Sequence, residues 1–386
     1  MPPGTHHCLV HLARLVRAAL PGRMEKDGQS TMAHTSVEVT GGVDTHKDTH
    51  TAAALDGAGR TLGTAQFPAT ATGYAALLAW LTGFGRVILI GVEGTGVYGA
   101  GLARYLRRHG IKLVEVDRPD RKTRRWQGKS DPVDAEAAAR AALADRATGI
   151  PKQRDGRVEA LRNLRVARRC AIAHRADIQR RMHALVVTAP EELRQHLRTL
   201  SAVELIRTCA ALRPDPDRAG DPATAAKLAL RQLGRRHAQL SRDITDLDEV
   251  ITPLVTAINP ALLAVYGVGP DVAGQLLVTA GDNPDRLRSE AAFAMLCGAA
   301  PLPASSGKTS RHRLNRGGDR HANSALWRIV ITRLAGDPRT RAYRDRRIKQ
   351  GMSKPEIIRC LKRYVAREIY ELLTTPKDLA PTPCKP

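Results

Sequence analysis

VEVTGGVDTHKDTHTAAALDGAGRTLGTAQF, residues 37–67, is the stretch on which the fold turns. Residues 37–43 alternate loosely and end at Asp44, which predicts a strand. Residues 50–56 predict a second strand, Gly57-Ala58-Gly59 a turn, and residues 61–67 a third strand, so the three form a meander. Working outward, residues 72–81 place Leu77, Leu78 and Leu81 at helical spacing. RVILIGV, residues 86–92, is an unbroken apolar run, the pattern of a central strand covered on both faces. Residues 98–109 predict an amphipathic helix, 112–116 a fifth strand, and 131–143 an Ala-rich helix.

The order βββαβαβα has the form of an α/β, ribonuclease-H-like domain over residues 37–150. Beyond it the chain turns helical. Residues 156–187 are basic. In residues 219–259, Leu233, His237, Leu240, Ile244, Leu247 and Ile251 are spaced 4, 3, 4, 3, 4, the seam of a coiled coil. Pro253 is expected to end or kink that helix. With Pro214 and Pro216 between the two helical stretches, residues 151–258 read as an antiparallel hairpin arm. Residues 259–375 read as a third, mostly helical region of short helices and Gly-rich turns. Residues 1–36 read as a disordered extension, with Met24 and Met32 as alternative starts, and the Pro-rich segment 376–386 as a disordered tail.

Composition narrows the function. The chain has 386 residues, with 61 Lys+Arg against 38 Asp+Glu and a net charge of +23. Such an excess serves a polyanion, most often nucleic acid. Aromatic residues are only 3%, too few for a stacking platform of the kind that holds single strands. No run of about 18 apolar residues offers a membrane span. The six cysteines are scattered and form no C-x-x-C pair, which argues against zinc and against a disulfide framework. Single cysteines fit a reducing, cytoplasmic setting.

Four carboxylates stand at element ends. Asp44 closes the first strand in GGVDTHK, and Glu93 closes the apolar strand in IGVEGTG. Asp131 and Asp134 lie three apart in KSDPVDA, on one helix face, with Pro132 suited to the first turn. In the expected topology the first and fourth strands are neighbours and the last helix packs across their ends, so the four would meet. Close carboxylates repel, and divalent cations such as Mg²⁺ relieve this. Two such ions can serve phosphoryl transfer. Taken singly, each Asp is equally a turn former or an N-cap. His46 and Lys47, flanking Asp44, read as phosphate contacts or solvated residues.

GVDTHKDTHTAAALD (42–56), VEGTG (92–96) and KSDPVDAEAAARAAL (129–143) together resemble the DEDD transposases of bacterial insertion sequences. These are the Piv/MooV-like proteins of the insertion-sequence one-ten family. The resemblance spans residues from about 41 to 370. It implies a RuvC-like N-terminal domain, a coiled-coil arm and a C-terminal transposase domain. It maps the DEDD metal set onto Asp44, Glu93, Asp131 and Asp134. It also implies DNA as substrate, a homo-oligomer (dimer or tetramer) whose protomers combine the two parts of the site, and a non-coding guide RNA.

In the third region, AVYGVGPDVA (264–273) has the form of a helix-hairpin-helix DNA-binding element, or of a plain helix–helix turn. Next comes PLPASSGKTSRHRLNRGGDRHANSALWR (301–328), in which Ser305-Ser306-Gly307 precedes Lys308, Arg311, Arg313, Arg316 and Arg320. A hydroxyl among cations can attack a phosphodiester, yet Ser-Gly in a basic loop is usually a DNA-touching loop. The resemblance assigns Ser306 as nucleophile, with Ser305 as runner-up. Lys308 stands where the family has a second Gly. Eight arginines (157, 162, 165, 168, 169, 175, 180, 181) form a basic face that could hold the RNA. Two other readings use the same residues: a RuvC-like junction nuclease that activates water, and a non-catalytic nucleic-acid-binding protein.

Overall fold

A computed structural model describes residues 37–116, 130–305, 307 and 312–375. The expected extension 1–36, the tail 376–386 and Ser306 lie outside the described residues.

The first body is a five-stranded sheet ordered β3-β2-β1-β4-β5. Its strands are β1 (Glu38–Thr45), β2 (Thr49–Asp56), β3 (Thr61–Pro68), β4 (Arg86–Glu93) and β5 (Leu113–Val116). The meander pairs β1 with β2 and β2 with β3 antiparallel. β4 then returns parallel to β1, and β5 parallel to β4. The first and fourth strands are therefore neighbours, as the sequence leads one to expect. Helices α1 (Ala71–Thr82) and α2 (Ala100–Arg108) cover one face, burying Leu77, Leu81, Leu102 and Leu106 against Val39, Val43, Ile90 and Val92.

Helix α3 (Asp131–Leu143) covers the other face. Here the expectation needs correcting: α3 lies along the sheet over β1, β2 and β4, and does not merely cross strand ends. Only small residues permit this. Ala135, Ala138, Ala139 and Ala142 form its buried stripe. On the sheet, a Cβ at Gly42 would come within 2.2 Å of the Ala135 carbonyl oxygen, and one at Gly91 within 2.7 Å of the Ala138 oxygen. The close approach lowers the N-terminal end of α3 onto the carboxyl end of β1.

The arm is built from α4 (Arg157–Thr188) and α7 (Pro222–Ile258). They run antiparallel: Arg168 meets Asp248, while Arg175, further along α4, meets the earlier Ser241. Leu240, Ile244 and Ile251 of the predicted seam are buried, and Leu233, His237 and Leu247 are half-buried. Pro253 does not end α7, which runs on to Ile258. Two helices absent from the sequence reading, α5 (Glu191–Leu197) and α6 (Ala202–Ala211), pack at the far end around Met182, Leu197, Leu205 and Leu230.

The remainder comprises α8 (Pro260–Leu263), α9 (Pro270–Ala280), α10 (Glu290–Leu296), a ribbon of β6 (Leu302–Pro303) and β7 (His312–Arg313), α11 (Arg320–Gly336), α12 (Pro338–Lys349) and α13 (Lys354–Thr374). The last three are longer than the short helices expected there. One core joins Phe293, Leu326, Ile329, Val365 and Ile369 to Leu161 and Val255 of the arm. No helix among the described residues is long and apolar enough to cross a membrane. The four described cysteines are free thiols.

Candidate functional site: an acidic cluster at the β1–β4 seam and a serine ribbon

Parallel pairing fixes the site. Val43 is in register with Val92, so Asp44 and Glu93 follow at adjacent carboxyl ends. Such ends are where ligands bind in open α/β sheets. Both acids are buried. The Thr45 hydroxyl donates to the Glu93 carbonyl at 2.8 Å and ties the two ends together. Ser130 stands at the N-cap position of α3 without a side-chain capping bond, Pro132 occupies the first turn, and Asp131 and Asp134 lie in that turn, where the helix dipole favours negative charge.

Asp44, His46 and Asp131 each place one ligand atom within 4.8 Å of the other two. His46 Nε2 lies 3.2 Å from Asp44 Oδ2 and 3.3 Å from Asp131 Oδ1. Neither contact is aligned as a hydrogen bond, and Nε2 is a buried nitrogen with no hydrogen-bond partner. Burial raises the Asp44 carboxyl above its ordinary range. The neighbouring Asp134 and Asp131 push it the same way, and His46 opposes them. A donor set of hard oxygens around one unsatisfied nitrogen, with mutually repelling carboxylates, fits a divalent cation. Asp44, Asp131 and His46 would hold it, with Asp134 close enough to act on Asp44 and Glu93 at the neighbouring strand end.

The serine candidates lie elsewhere in the chain, between β6 and β7. Leu302 pairs with Arg313 and Pro303 with His312 in a two-stranded ribbon, and Ser305 follows β6 by two residues. Ser305 is exposed. Gly307 has φ +53, a left-handed conformation that suits glycine and turns the chain just after position 306. Before the ribbon, the chain at Cys297 and Gly298 is held by Asn323 of α11, whose amide donates to both carbonyls at 2.9 Å and accepts from Lys362 Nζ at 2.9 Å.

The predicted hairpin at 264–273 has a first helix of only 4 residues, α8, before α9 opens at Pro270. Asp271 in the first turn of α9 is bonded by Arg165, Arg168 and Arg328. This overturns part of the basic-face reading. Arg165 is buried, and it and Arg168 tie the arm to α9. Arg162, Arg180 and Arg181 pair with acids of their own helix.

Residues 41–189 match the family model DEDD_Tnp_IS110, described as "Transposase". Residues 259–345 match "Transposase IS116/IS110/IS902 family". Over these two stretches the chain is similar to the IS110 family of transposases. The first match contains Asp44, Glu93, Asp131 and Asp134, and the second contains both serines. Among curated proteins, the "Insertion element IS110 uncharacterized 43.6 kDa protein" of Streptomyces coelicolor is 32% identical over 131 residues. That alignment spans 33% of this chain and 32% of the relative, about a third of each.

His46 is the residue whose role the sequence left open. It follows the last residue of β1, in the turn to β2, so strand alternation does not fix where its side chain goes.

Proposed function

We infer that this protein is the DNA recombinase of an insertion sequence, cutting and exchanging strands at the ends of its element and at a target. The observation that carries this is the coincidence of the DEDD-type match with four acids on the β1–β4 seam and the first turn of α3. The strand order and the helix-covered faces favour a ribonuclease-H-like, RuvC-like first domain. We assign the domains as 37–150 catalytic, 151–258 arm and 259–375 serine-bearing.

A divalent cation such as Mg²⁺ suits an oxygen-rich site, and bound there it would screen the phosphate and stabilise charge on the transferring group. The protein's own residues do the rest. Asp44 and Asp131 hold their positions through the β1 end and the first turn of α3. Ser306, with Ser305 as the alternative, would attack phosphorus through Oγ. An Oγ–P bond forms as a P–O bond to deoxyribose breaks, and the serine proton ends on the released sugar hydroxyl. The phosphoseryl link retains the strand's bond energy, and the incoming hydroxyl later reverses the step. Nearby cations such as Arg313 and Arg316 would steady the phosphate. Acids and serine lie in separate parts of the chain, which favours a homo-oligomer combining them across protomers. DNA and a non-coding guide RNA are the proposed partners, in the cytoplasm.

The test is a strand-exchange assay on element-end DNA with the flanking non-coding RNA supplied or omitted. Asp131→Asn and Asp134→Asn should each abolish exchange with the fold intact by circular dichroism. Ser306→Ala should abolish covalent protein–DNA adducts, and Ser305→Ala only reduce them. Metal-dependent cleavage that survives in the double serine variant would favour a RuvC-like nuclease instead.

A further inference from the structure

We propose that His46 is a direct ligand in the site of Asp44 and Asp131, so that this chain takes a first-row divalent transition ion such as Mn²⁺ in preference to Mg²⁺. The proposal rests on the metal reading of the carboxylates above and adds a nitrogen donor to it.

The first argument is spacing. Two donors about 2.1 Å from one small cation sit about 3.0 Å apart at right angles and about 3.4 Å apart at tetrahedral angles. His46 Nε2 lies 3.2 Å from one Asp44 oxygen and 3.3 Å from one Asp131 oxygen, inside that interval on both edges. Direction is the second argument. A histidine kept as a hydrogen-bond donor would aim its N–H at an acceptor. Nε2 instead lies between two carboxylate oxygens and is aligned as a hydrogen-bond donor to neither, the position of a donor that shares a cation with them. Nor does core packing hold the ring there, because the side chain is 43% exposed.

The third argument is how the backbone holds the ring. His46 N–H donates to the Thr49 carbonyl at 3.0 Å and closes the turn between β1 and β2. The backbone from which the imidazole projects is thereby fixed at the rim of the acidic pocket. Chemistry then sets the preference. Mg²⁺ is bound by oxygen and sheds water reluctantly. Imidazole adds affinity for first-row transition ions, while the two carboxylates suit Mn²⁺ as well as Mg²⁺.

Mn²⁺ titrated into the metal-free full chain, followed by continuous-wave and pulsed electron paramagnetic resonance, tests this. The expected result is bound Mn²⁺ with a directly coordinated ¹⁴N coupling whose pattern changes on ¹⁵N-histidine labelling. His46→Ala should remove the coupling and weaken Mn²⁺ by at least about tenfold, since loss of even an outer ligand partner costs that much. The same variant should change Mg²⁺ competition by less than about threefold, because Mg²⁺ draws on the oxygens. Asp44→Asn should weaken both ions. Bound Mn²⁺ without ¹⁴N coupling overturns the ligand role of His46 and leaves the carboxylate site standing. Failure of the wild-type chain to bind Mn²⁺ or Mg²⁺ overturns both. If His46→Ala misfolds, the labelled wild-type spectra still decide.

Discussion

The Lys152 ammonium is held out of water where residues 151–155 pass α9. Its Nζ donates to the Val278 carbonyl at 2.7 Å, and its stem packs on Gly281, where a Cβ would lie 3.0 Å from Lys152 Cγ. Burial, reinforced by Arg286 and Arg154, lowers its pKa to about 8 from the ordinary 10.5. Below about 8 the lysine is protonated both folded and unfolded, and the full cost of the buried charge is present. Between about 8 and 10.5 the unfolded chain holds more protons than the folded one, so stability rises with pH across that window. The gain is on the order of 3 kcal/mol. Lys152→Met should flatten this alkaline rise relative to wild type. Urea unfolding at pH 8 and pH 10.5 measures it, and parallel curves for the two proteins would refute the assignment.

At the scale of elements, the approach of α3 to the sheet both builds the acidic cluster and limits what the sheet can carry. Gly42→Ala forces a methyl against the Ala135 carbonyl and the Ala139 nitrogen, each 2.2 Å from the ideal Cβ. Backbone cannot rotate away as a side chain would, so α3 must shift. The expected cost is about 1–3 kcal/mol, read by denaturant midpoint, with weakened metal binding as Asp131 leaves Asp44. A second element contact joins α4 to α9: Arg165 Nη1 to Asp271 Oδ1 at 2.8 Å, with Arg168 on the same oxygen at 3.2 Å. Asp271→Ala leaves the buried Arg165 without its counter-charge and should cost about 3–5 kcal/mol. Arg165→Met together with Asp271→Leu should recover much of that.

These elements also explain what the sequence could and could not disclose. Helix α3 spans the predicted residues because Pro132 and the alanine run each signal locally. The meander was legible from alternation and the Gly57-Ala58-Gly59 turn, and β4 from one apolar run. Helix α6 was missed although Ser201 and Glu204 form a reciprocal capping box, an S-x-x-E signature visible in the chain. The role of Arg165 had no local signal, since its partner lies 106 positions away. The direction of His46 Nε2 depends on the main-chain turn from His46 to Thr49, which residue types alone do not specify.

For the whole molecule, the question is what the charge of +23 serves. Intramolecular pairing consumes part of the arm's basicity: Arg162, Arg165, Arg168, Arg180 and Arg181 all have acidic partners. Cation density persists on α12, where Arg339, Arg341, Arg346 and Lys349 are exposed and the Arg346 and Arg347 guanidinium groups lie 5.4 and 5.7 Å from the Tyr343 ring centroid. Backbone contacts from such residues supply affinity without sequence information. No zinc-finger or basic-zipper pattern supplies a base reader, so a pairing nucleic acid is the economical source of target choice. Full-length protein should therefore co-purify with a structured RNA encoded beside its own gene. Its affinity should fall steeply and linearly in log–log terms with salt. Arg341→Ala with Arg346→Ala should lower the salt slope by roughly 1–2, in proportion to the phosphates released. Sequencing the bound RNA and repeating strand exchange after ribonuclease treatment decides the matter. Unenriched host RNA, together with full exchange after ribonuclease, would place target choice in the protein itself.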